Sequence, residues 1–198
     1  VLGEDIPVEY ARYSNDRAPQ YQIKTTIVEK EDGGKEVRKY PISEAAKEHI
    51  ANLQIAYEGL EKRYEGSGLH VNKCELVEKD DEYYAALEFV EGRPLSQYMD
   101  ECLEREDFEG FMQLFEKYLE YVGYNEEYPV ADFDLVFSNL MIDGDDWTLI
   151  DYEWTFGKAV ETKEPAFRAV YCYLLEDEKR NCLPLDRILD RLGITEKD

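Results

Sequence analysis

The chain has few residues of the kinds that support zinc, imidazole or thiolate chemistry. It contains two histidines, His49 and His70, and four cysteines with no CxxC spacing. A zinc site is therefore not expected, and Ser-His or Cys-His catalysis has little to work with. The cysteines lie in apolar or helical stretches, and the chain has no Asn-x-Ser/Thr acceptor. These absences predict a reducing, cytoplasmic location.

Basic residues are also scarce, with 23 Lys and Arg against 46 Asp and Glu and a formal net charge of -23. Binding to a nucleic-acid backbone needs clustered cations, so we expect no nucleic-acid partner. The charge mildly favours a neutral or cationic substrate, although solubility alone is a sufficient reason for the acidity.

Long apolar runs are missing too. No run approaches the roughly 20 residues that cross a bilayer, and the start lacks the basic and then apolar order of a signal peptide. We therefore expect no membrane span. Because the sequence begins with Val1, we expect it to be a segment of a longer protein, which could carry further enzymatic domains.

The first part of the chain predicts a small α+β unit. Three runs rich in Val, Ile, Thr and Tyr lie between Val8 and Tyr40, separated by turn-like stretches, and predict three antiparallel strands. Pro41 ends the third strand and Ser43 can cap a helix. Apolar residues then recur at helical spacing up to Tyr64, so a long helix follows the third strand.

Two more strands complete the predicted five-stranded sheet. They cover residues 69–79 and 82–90 and are joined at Asp80 and Asp81. The sequence then changes to helical patterns, so we place the boundary between two lobes of one domain after residue 92, giving lobes of residues 1–92 and 93–198. The second lobe is predicted to contain four helices and one hairpin: helices at 95–104, 108–122, 165–176 and 185–192, and a hairpin of strands 140–142 and 148–150 with a solvated turn at 143–146.

Three polar residues flank the predicted hairpin. Asp134 and Asn139 precede it and are five residues apart, whereas Asp151 follows it. A hairpin brings its two ends together, so Asn139 and Asp151 can face each other across a gap suited to Mg²⁺. Asp134 is then placed to accept a proton from an attacking hydroxyl while the metal neutralises a transferring phosphoryl group. The alternative is that all three are ordinary polar residues of a loop and a turn.

This segment resembles the catalytic core of kinase-like phosphotransferases. The string DLVFSN resembles their D-x-x-x-x-N loop, and IDYE resembles their metal-binding D-F-G. The variant that ends in Glu looks most similar to the aminoglycoside phosphotransferase and choline kinase branch. The resemblance implies that Asp134 is the catalytic base, that Asn139 and Asp151 hold Mg²⁺, and that Glu153 supports a second metal or its waters.

The resemblance also implies a fold and an activity. The fold would be two-lobed and protein-kinase-like, with a five-stranded antiparallel N-terminal lobe that carries one long helix, and a reduced, mainly helical C-terminal lobe. The activity would be an ATP- and Mg²⁺-dependent transfer of phosphate to a hydroxyl of a small molecule or glycan.

Further parts of the resemblance concern the nucleotide. The string VRK that ends at Lys39 is similar to the strand whose lysine binds the α- and β-phosphates. A glutamate of the long helix should pair with Lys39; position in the helix favours Glu48, whereas spacing favours Glu58. The string EFVEGRPL resembles the hinge between lobes, which implies that main-chain groups of Glu88 and Val90 bind adenine.

The chain departs from the family pattern at several points. Most members have His or Tyr two residues before the catalytic Asp, where this chain has Asp132. The predicted phosphate-covering loop, SNDRAP, has no glycine, so Ser14 and Asn15 would contact phosphate through side chains. The chain has no A-P-E segment, which speaks against a regulated protein kinase. These departures leave two alternatives open: a pseudokinase or nucleotide-binding interaction module without turnover, and a glycan-attachment module of a larger polysaccharide-building enzyme.

Overall fold

The computed structural model describes residues 8–79 and 82–195. Within these ranges the architecture is α+β, with five α-helices and a five-stranded antiparallel sheet. The chain divides into two compact units, of which unit 1 comprises Val1–Glu58 and Asn72–Val90 and unit 2 comprises Gly59–Val71 and Glu91–Asp198. No helix in the described ranges combines the length and the apolarity that a bilayer crossing requires.

The helices and strands are numbered in chain order. They are β1 (Val8–Tyr13), β2 (Ile23–Glu29), β3 (Lys35–Pro41), α1 (Lys47–Tyr64), β4 (Leu69–Val71), β5 (Cys74–Lys79), β6 (Glu82–Glu88), β7 (Arg93–Pro94), α2 (Leu95–Glu104), α3 (Phe108–Val122), β8 (Ala131–Asp132), β9 (Leu140–Asp143), β10 (Asp146–Leu149), β11 (Thr155–Phe156), α4 (Lys163–Glu176) and α5 (Leu185–Leu192).

The five-stranded sheet lies in unit 1 and has the order β1-β2-β3-β6-β5. All its neighbouring strands are antiparallel, which confirms the predicted sheet. The predicted helix is also present as α1, because its apolar residues recur every three or four positions and are withdrawn from water. The buried residues along this stripe are Ile50, Leu53, Leu60 and Tyr64.

The structure corrects two details of the predicted first lobe. The stretch 69–79 is not one strand: only β5 joins the five-stranded sheet, whereas β4 pairs in parallel with β10 in unit 2. Asn72 lies between the two strands, and its side-chain amide donates to the carbonyl oxygen of Glu88 (3.0 Å). Ser43 precedes a single helical turn before α1, and its side chain makes no capping hydrogen bond. The predicted turn at Asp80 and Asp81 lies outside the described residues.

Unit 2 contains the other four helices and a four-stranded sheet of order β4-β10-β9-β7. The predicted hairpin is its centre, with Trp147 opposite Ile142. Gly92, directly before β7, has a φ of +117°, and a Cβ there would lie 2.5 Å from the carbonyl oxygen of Ile142. Only glycine fits this close approach without strain.

Arg63, near the end of α1, organises the chain that leads to the candidate site. It is buried, and its guanidinium donates to three main-chain carbonyl oxygens of unit 2, those of Val122 (2.8 Å), Tyr124 (3.2 Å) and Val130 (2.6 Å). Arginine can serve several acceptors at once through its five N–H groups. The chain after α3 is therefore held in place just before β8.

Candidate active site

The loop that carries Asp134 is anchored to the core of unit 2 through Leu135 and Phe137. Phe137 is fully buried in an aromatic cluster, with its ring edge-on to Tyr118 at 4.9 Å and to Tyr173 at 5.4 Å between centroids. Such edge-to-face pairs add to the stabilisation from burial. The Tyr118 hydroxyl donates to the carbonyl oxygen of Leu135 (2.9 Å). Phe137 of the loop, Tyr118 of α3 and Tyr173 of α4 thus hold the loop in place.

The hairpin brings its two ends together, as the sequence pattern predicts. The N–H of Ile150 donates to the carbonyl oxygen of Asn139 (2.8 Å). The side-chain amide nitrogen of Asn139 donates to two further carbonyl oxygens, those of Asp134 (2.9 Å) and Asp151 (3.3 Å). One amide therefore joins the three polar residues that sequence analysis singled out.

Asp151 has an unusual backbone conformation. Its φ is +55°, in the left-handed region that residues other than glycine, Asn and Asp seldom adopt. Asp tolerates this region, which residues adopt in ordinary turns as well as at functional sites. The conformation is held from the Asn139 side, because the carbonyl oxygen of Asp151 accepts the Asn139 amide.

Asp134 lies in an environment that disfavours its negative charge. Its side chain is 18% exposed, and burial together with the Asp151 carboxylate raises its pKa from 3.8 to about 6. Arg168 of α4 acts in the opposite direction, with Nη2 3.3 Å from Oδ1 of Asp134. A carboxylate with a pKa near 6 is still mostly ionised at pH 7 and is a stronger base than an exposed Asp.

Asp132 occupies the position where the resembled family has His or Tyr. It is 3% exposed on β8, and its Oδ1 accepts the N–H of Asp134 (3.0 Å) and the hydroxyl of Thr155 (3.4 Å). Its Oδ2 is buried without a hydrogen-bond partner among the described residues. Burial first, and then the neighbouring Asp134, raise its pKa well above the ordinary value. The orienting hydrogen bond to the loop is thus made by a carboxyl group.

The donor atoms around Asn139 fit a magnesium ion that also uses phosphate oxygens. Both N–H groups of the Asn139 amide are directed at carbonyl oxygens, so its oxygen is the atom that could coordinate a cation. Asp151 adds a carboxylate, and Mg²⁺ typically takes one or two carboxylates plus waters and substrate phosphates. Among the described residues, no three His, Cys, Asp or Glu side chains form a metal-binding group by themselves. Glu153, the predicted second support, is half-buried after Tyr152.

The predicted phosphate and ion-pair residues lie in unit 1. Lys39 is 5% exposed on β3, opposite Thr25 on one side and Ala85 on the other. Glu48 is exposed in the first turn of α1. Glu58 is exposed as well, and its Oε1 accepts the side-chain amide of Gln54 (3.1 Å). The roles assigned to Lys39 and Glu48 stay predictions.

The predicted loop and hinge residues also belong to unit 1. The N–H of Ser14 extends the β1–β2 pairing by donating to the carbonyl oxygen of Ile23 (3.0 Å), and the carbonyl oxygen of Asn15 accepts the Gln22 amide (3.2 Å). Glu88 ends β6, and its carbonyl oxygen accepts the Asn72 amide. Val90 follows as the last residue of the unit. Contacts of these residues with a nucleotide stay predictions.

Sequence reasoning missed Arg168 and Thr155. Arg168 lies in α4, and besides contacting Asp134 its Nε donates to the carbonyl oxygen of Phe133 (2.8 Å). Thr155 lies on β11, which pairs with β8. Neither is part of a recognisable motif, because both reach the loop only through tertiary folding.

Comparison of the sequence with known proteins adds no assignment. No protein-family model matches the chain, and no curated protein shows a significant match to it.

Proposed function

We propose that the chain is an ATP- and Mg²⁺-dependent phosphotransferase of the kinase-like type that acts on a hydroxyl of a small molecule or glycan. In this proposal unit 1, with the five-stranded sheet and the first part of α1, is the nucleotide-binding lobe, and unit 2 is the catalytic lobe. The observation that carries the proposal is the Asn139 amide, which donates to the carbonyl oxygens of both Asp134 and Asp151. This amide holds the main chain of the proposed base next to that of the proposed metal ligand.

The proposed reaction is a displacement at the terminal phosphorus of ATP. The acceptor hydroxyl loses its proton to the Asp134 carboxylate and forms a new O–P bond. The bond between that phosphorus and the oxygen bridging it to the β-phosphate breaks, and ADP leaves with the electron pair. Bound Mg²⁺, held by Asn139 and Asp151, would supply charge neutralisation on the phosphates.

The electrostatics of Asp134 support its role as the base. A pKa of about 6 leaves most of the side chain ionised at neutral pH, yet keeps its proton affinity higher than that of an exposed carboxylate. The N–H of Asp134 is held by Asp132 and its carbonyl oxygen by Asn139, so its backbone is restrained on both sides. Such restraint holds a catalytic group in a reactive position before substrate arrives.

The proposal is tested by measuring ADP release with Mg-ATP and a panel of acceptors, namely sugars, glycan ends, aminoglycosides and choline-like alcohols. We expect acceptor-dependent ADP release that falls at least about a hundredfold in Asp134→Asn. Asp145→Asn, in the exposed β9–β10 turn, is the matched control and should retain activity. The proposal is wrong if no acceptor gives turnover and calorimetry detects no binding of Mg-nucleotide.

A nucleotide-binding module without turnover is the second candidate. The observation that favours it is the ion pair between Arg168 and Asp134, which occupies an oxygen of the proposed base. This candidate predicts that Mg-ATP raises the melting temperature of the wild type but not of Asp151→Ala, with no ADP release for any acceptor. Acceptor-dependent transfer that is lost in Asp134→Asn would exclude it.

A further inference from the structure

A pocket of about 320 Å³ lies beside Asp134 within unit 2. Its wall is formed by Phe133, Trp154, Phe156, Lys158 and Arg168. Arg168 links the pocket to the proposed base, because its guanidinium contacts both Oδ1 of Asp134 (3.3 Å) and the carbonyl oxygen of Phe133 (2.8 Å). The volume is at the lower end of the roughly 300–1,000 Å³ usual for small-molecule sites.

Aromatic rings form most of the pocket wall. Phe133 and Phe156 meet edge to face, with centroids 5.4 Å apart and planes at 86°. Trp154, two residues before Phe156 in the chain, contributes a third ring. Flat aromatic surfaces bind the apolar faces of rings, and at interfaces they contribute large contact areas at low entropic cost.

The side chains that line the pocket include two cations and no carboxylate, in contrast to the composition of the whole chain. Lys158 and Arg168 line it, and none of its five lining residues is acidic, although the chain carries a net charge of -23. The Lys158 ammonium lies 6.0 Å from the centroid of Phe133, at the outer limit of a cation–π contact. Arg168 is already paired with Asp134, whereas Lys158 lies on the exposed part of the wall.

From this combination we propose that the pocket binds the phosphoryl acceptor, and that the acceptor is a hydroxylated ring that carries an anionic group. The rings of the wall contact a face of the substrate ring, and Lys158 binds its carboxylate or phosphate. A cationic acceptor such as an aminoglycoside or choline is disfavoured, because Lys158 would repel it and the nearby Asp134 carboxylate is already paired with Arg168. This assignment rests on the proposed phosphotransferase function, since the pocket adjoins the proposed base.

Binding is measured first, without nucleotide or Mg²⁺, by ligand-observed NMR titration of the chain. The probes are glucuronate, glucose 6-phosphate, glucose, glucosamine and inorganic phosphate. We expect the two anionic sugars to bind about tenfold more tightly than glucose, and glucosamine to bind most weakly. The ratio between glucuronate and glucose 6-phosphate shows whether the pocket prefers a carboxylate or a phosphate.

Two pairs of variants assign the binding to this pocket. Lys158→Gln should weaken the binding of the preferred anionic sugar about tenfold, whereas Lys179→Gln, on an exposed segment after α4, should not. Phe156→Leu should weaken the binding roughly fivefold by removing a ring. Phe167→Leu is its control, because Phe167 does not line the pocket and the two side chains are similarly exposed, 45% for Phe167 and 43% for Phe156.

The assignment is overturned by any of three results. These are glucosamine or glucose binding as tightly as both anionic sugars, inorganic phosphate binding as tightly as glucose 6-phosphate, or unchanged binding in Lys158→Gln. The ADP-release assay separates this proposal from the one on which it rests. Efficient transfer to choline or an aminoglycoside would support the phosphotransferase and overturn the anionic pocket. Selective binding of anionic sugars with no transfer to any acceptor would support the anionic pocket and contradict the phosphotransferase.

Discussion

Replacing Asp134 by Asn should stabilise the folded protein at neutral pH while it removes the proposed base. The pKa of Asp134 is raised from 3.8 to about 6 in the folded state, first by burial and then by Asp151. The neutral form is therefore favoured by folding. Its contribution is fully present below pH 3.8 and is lost as the pH rises towards and through 6. Asn, which is neutral at every pH, retains that contribution.

The magnitude follows from the two pKa values. Each pKa unit corresponds to about 1.4 kcal/mol, so ionised Asp134 lowers the free energy of unfolding by about 3 kcal/mol at pH 7.5. About half of this loss has already occurred at pH 5. The stability difference between Asp134→Asn and wild type should therefore grow by about 1.4 kcal/mol from pH 5 to pH 7.5. Asp134 also raises the pKa of Asp132. Replacing Asp134 by Asn therefore lowers the pKa of Asp132 in the folded state, which further stabilises the folded protein at neutral pH.

The assay is urea unfolding, followed by far-UV circular dichroism, at several pH values from 5 to 7.5. Asp145→Asn, in the exposed β9–β10 turn, controls for the loss of one negative charge. If the stability of Asp134→Asn runs parallel to that of the control across this range, the inferred environment of Asp134 is wrong. If the stabilities of the two variants diverge with pH as calculated, the ionised Asp134 side chain destabilises the fold. Such destabilisation is common where a charged group serves function.

Three further predictions concern Asn139 and Arg168 at the candidate site and Gly92 in the four-stranded sheet region. Asn139→Ala removes the hydrogen bonds to the carbonyl oxygens of Asp134 and Asp151. We expect the free energy of unfolding, measured with urea, to fall by about 1–2 kcal/mol, and Mg²⁺-dependent ADP release to be lost. Gly92→Ala places a Cβ 2.5 Å from a carbonyl oxygen at a φ of +117°. Thermal unfolding should show a melting temperature lower by about 4–8 °C. The control Gly157→Ala, with open space around the new Cβ, should change the melting temperature less. Arg168→Gln removes the cation that lowers the pKa of Asp134, so that pKa should rise. The acidic limb of the pH profile of kcat/KM should therefore move to higher pH. A limb that does not move would contradict the role of Asp134 as the base.

The helices and strands could be predicted largely because their signals are local. Apolar residues repeat at helical spacing in α1 and α3, and Gly, Asn and Asp separate the strands. The stretch 69–79 was one exception. Its composition suits a strand throughout, and no local feature states that β4 pairs with β10 rather than with β6. Strand partners far apart in sequence are chosen by the fold as a whole.

The residues of the candidate site were likewise predictable only where their proximity depends on local sequence. Asp134, Asn139 and Asp151 lie within 18 residues and flank one hairpin, so their proximity follows from the hairpin itself. Arg168 contacts Asp134 from 34 residues away along the chain. The role of Asp132 could not be predicted from the sequence either, where Asp132 is only a departure from the family motif. Its burial and its contact with Thr155 depend on the pairing of β8 with β11.

By itself the sequence determined the α+β composition, the five-stranded sheet and the spacing that brings Asn139 to Asp151, because each depends on patterns of a few neighbouring residues. Only the tertiary structure decided the electrostatic character of the site. The pKa of Asp134 depends on burial and on the opposing influences of Asp151 and Arg168. The cationic, aromatic pocket likewise combines residues of β11 and α4 in a chain whose overall charge is strongly negative. Charge and solvent exposure at one point are properties of three-dimensional proximity, which composition does not contain.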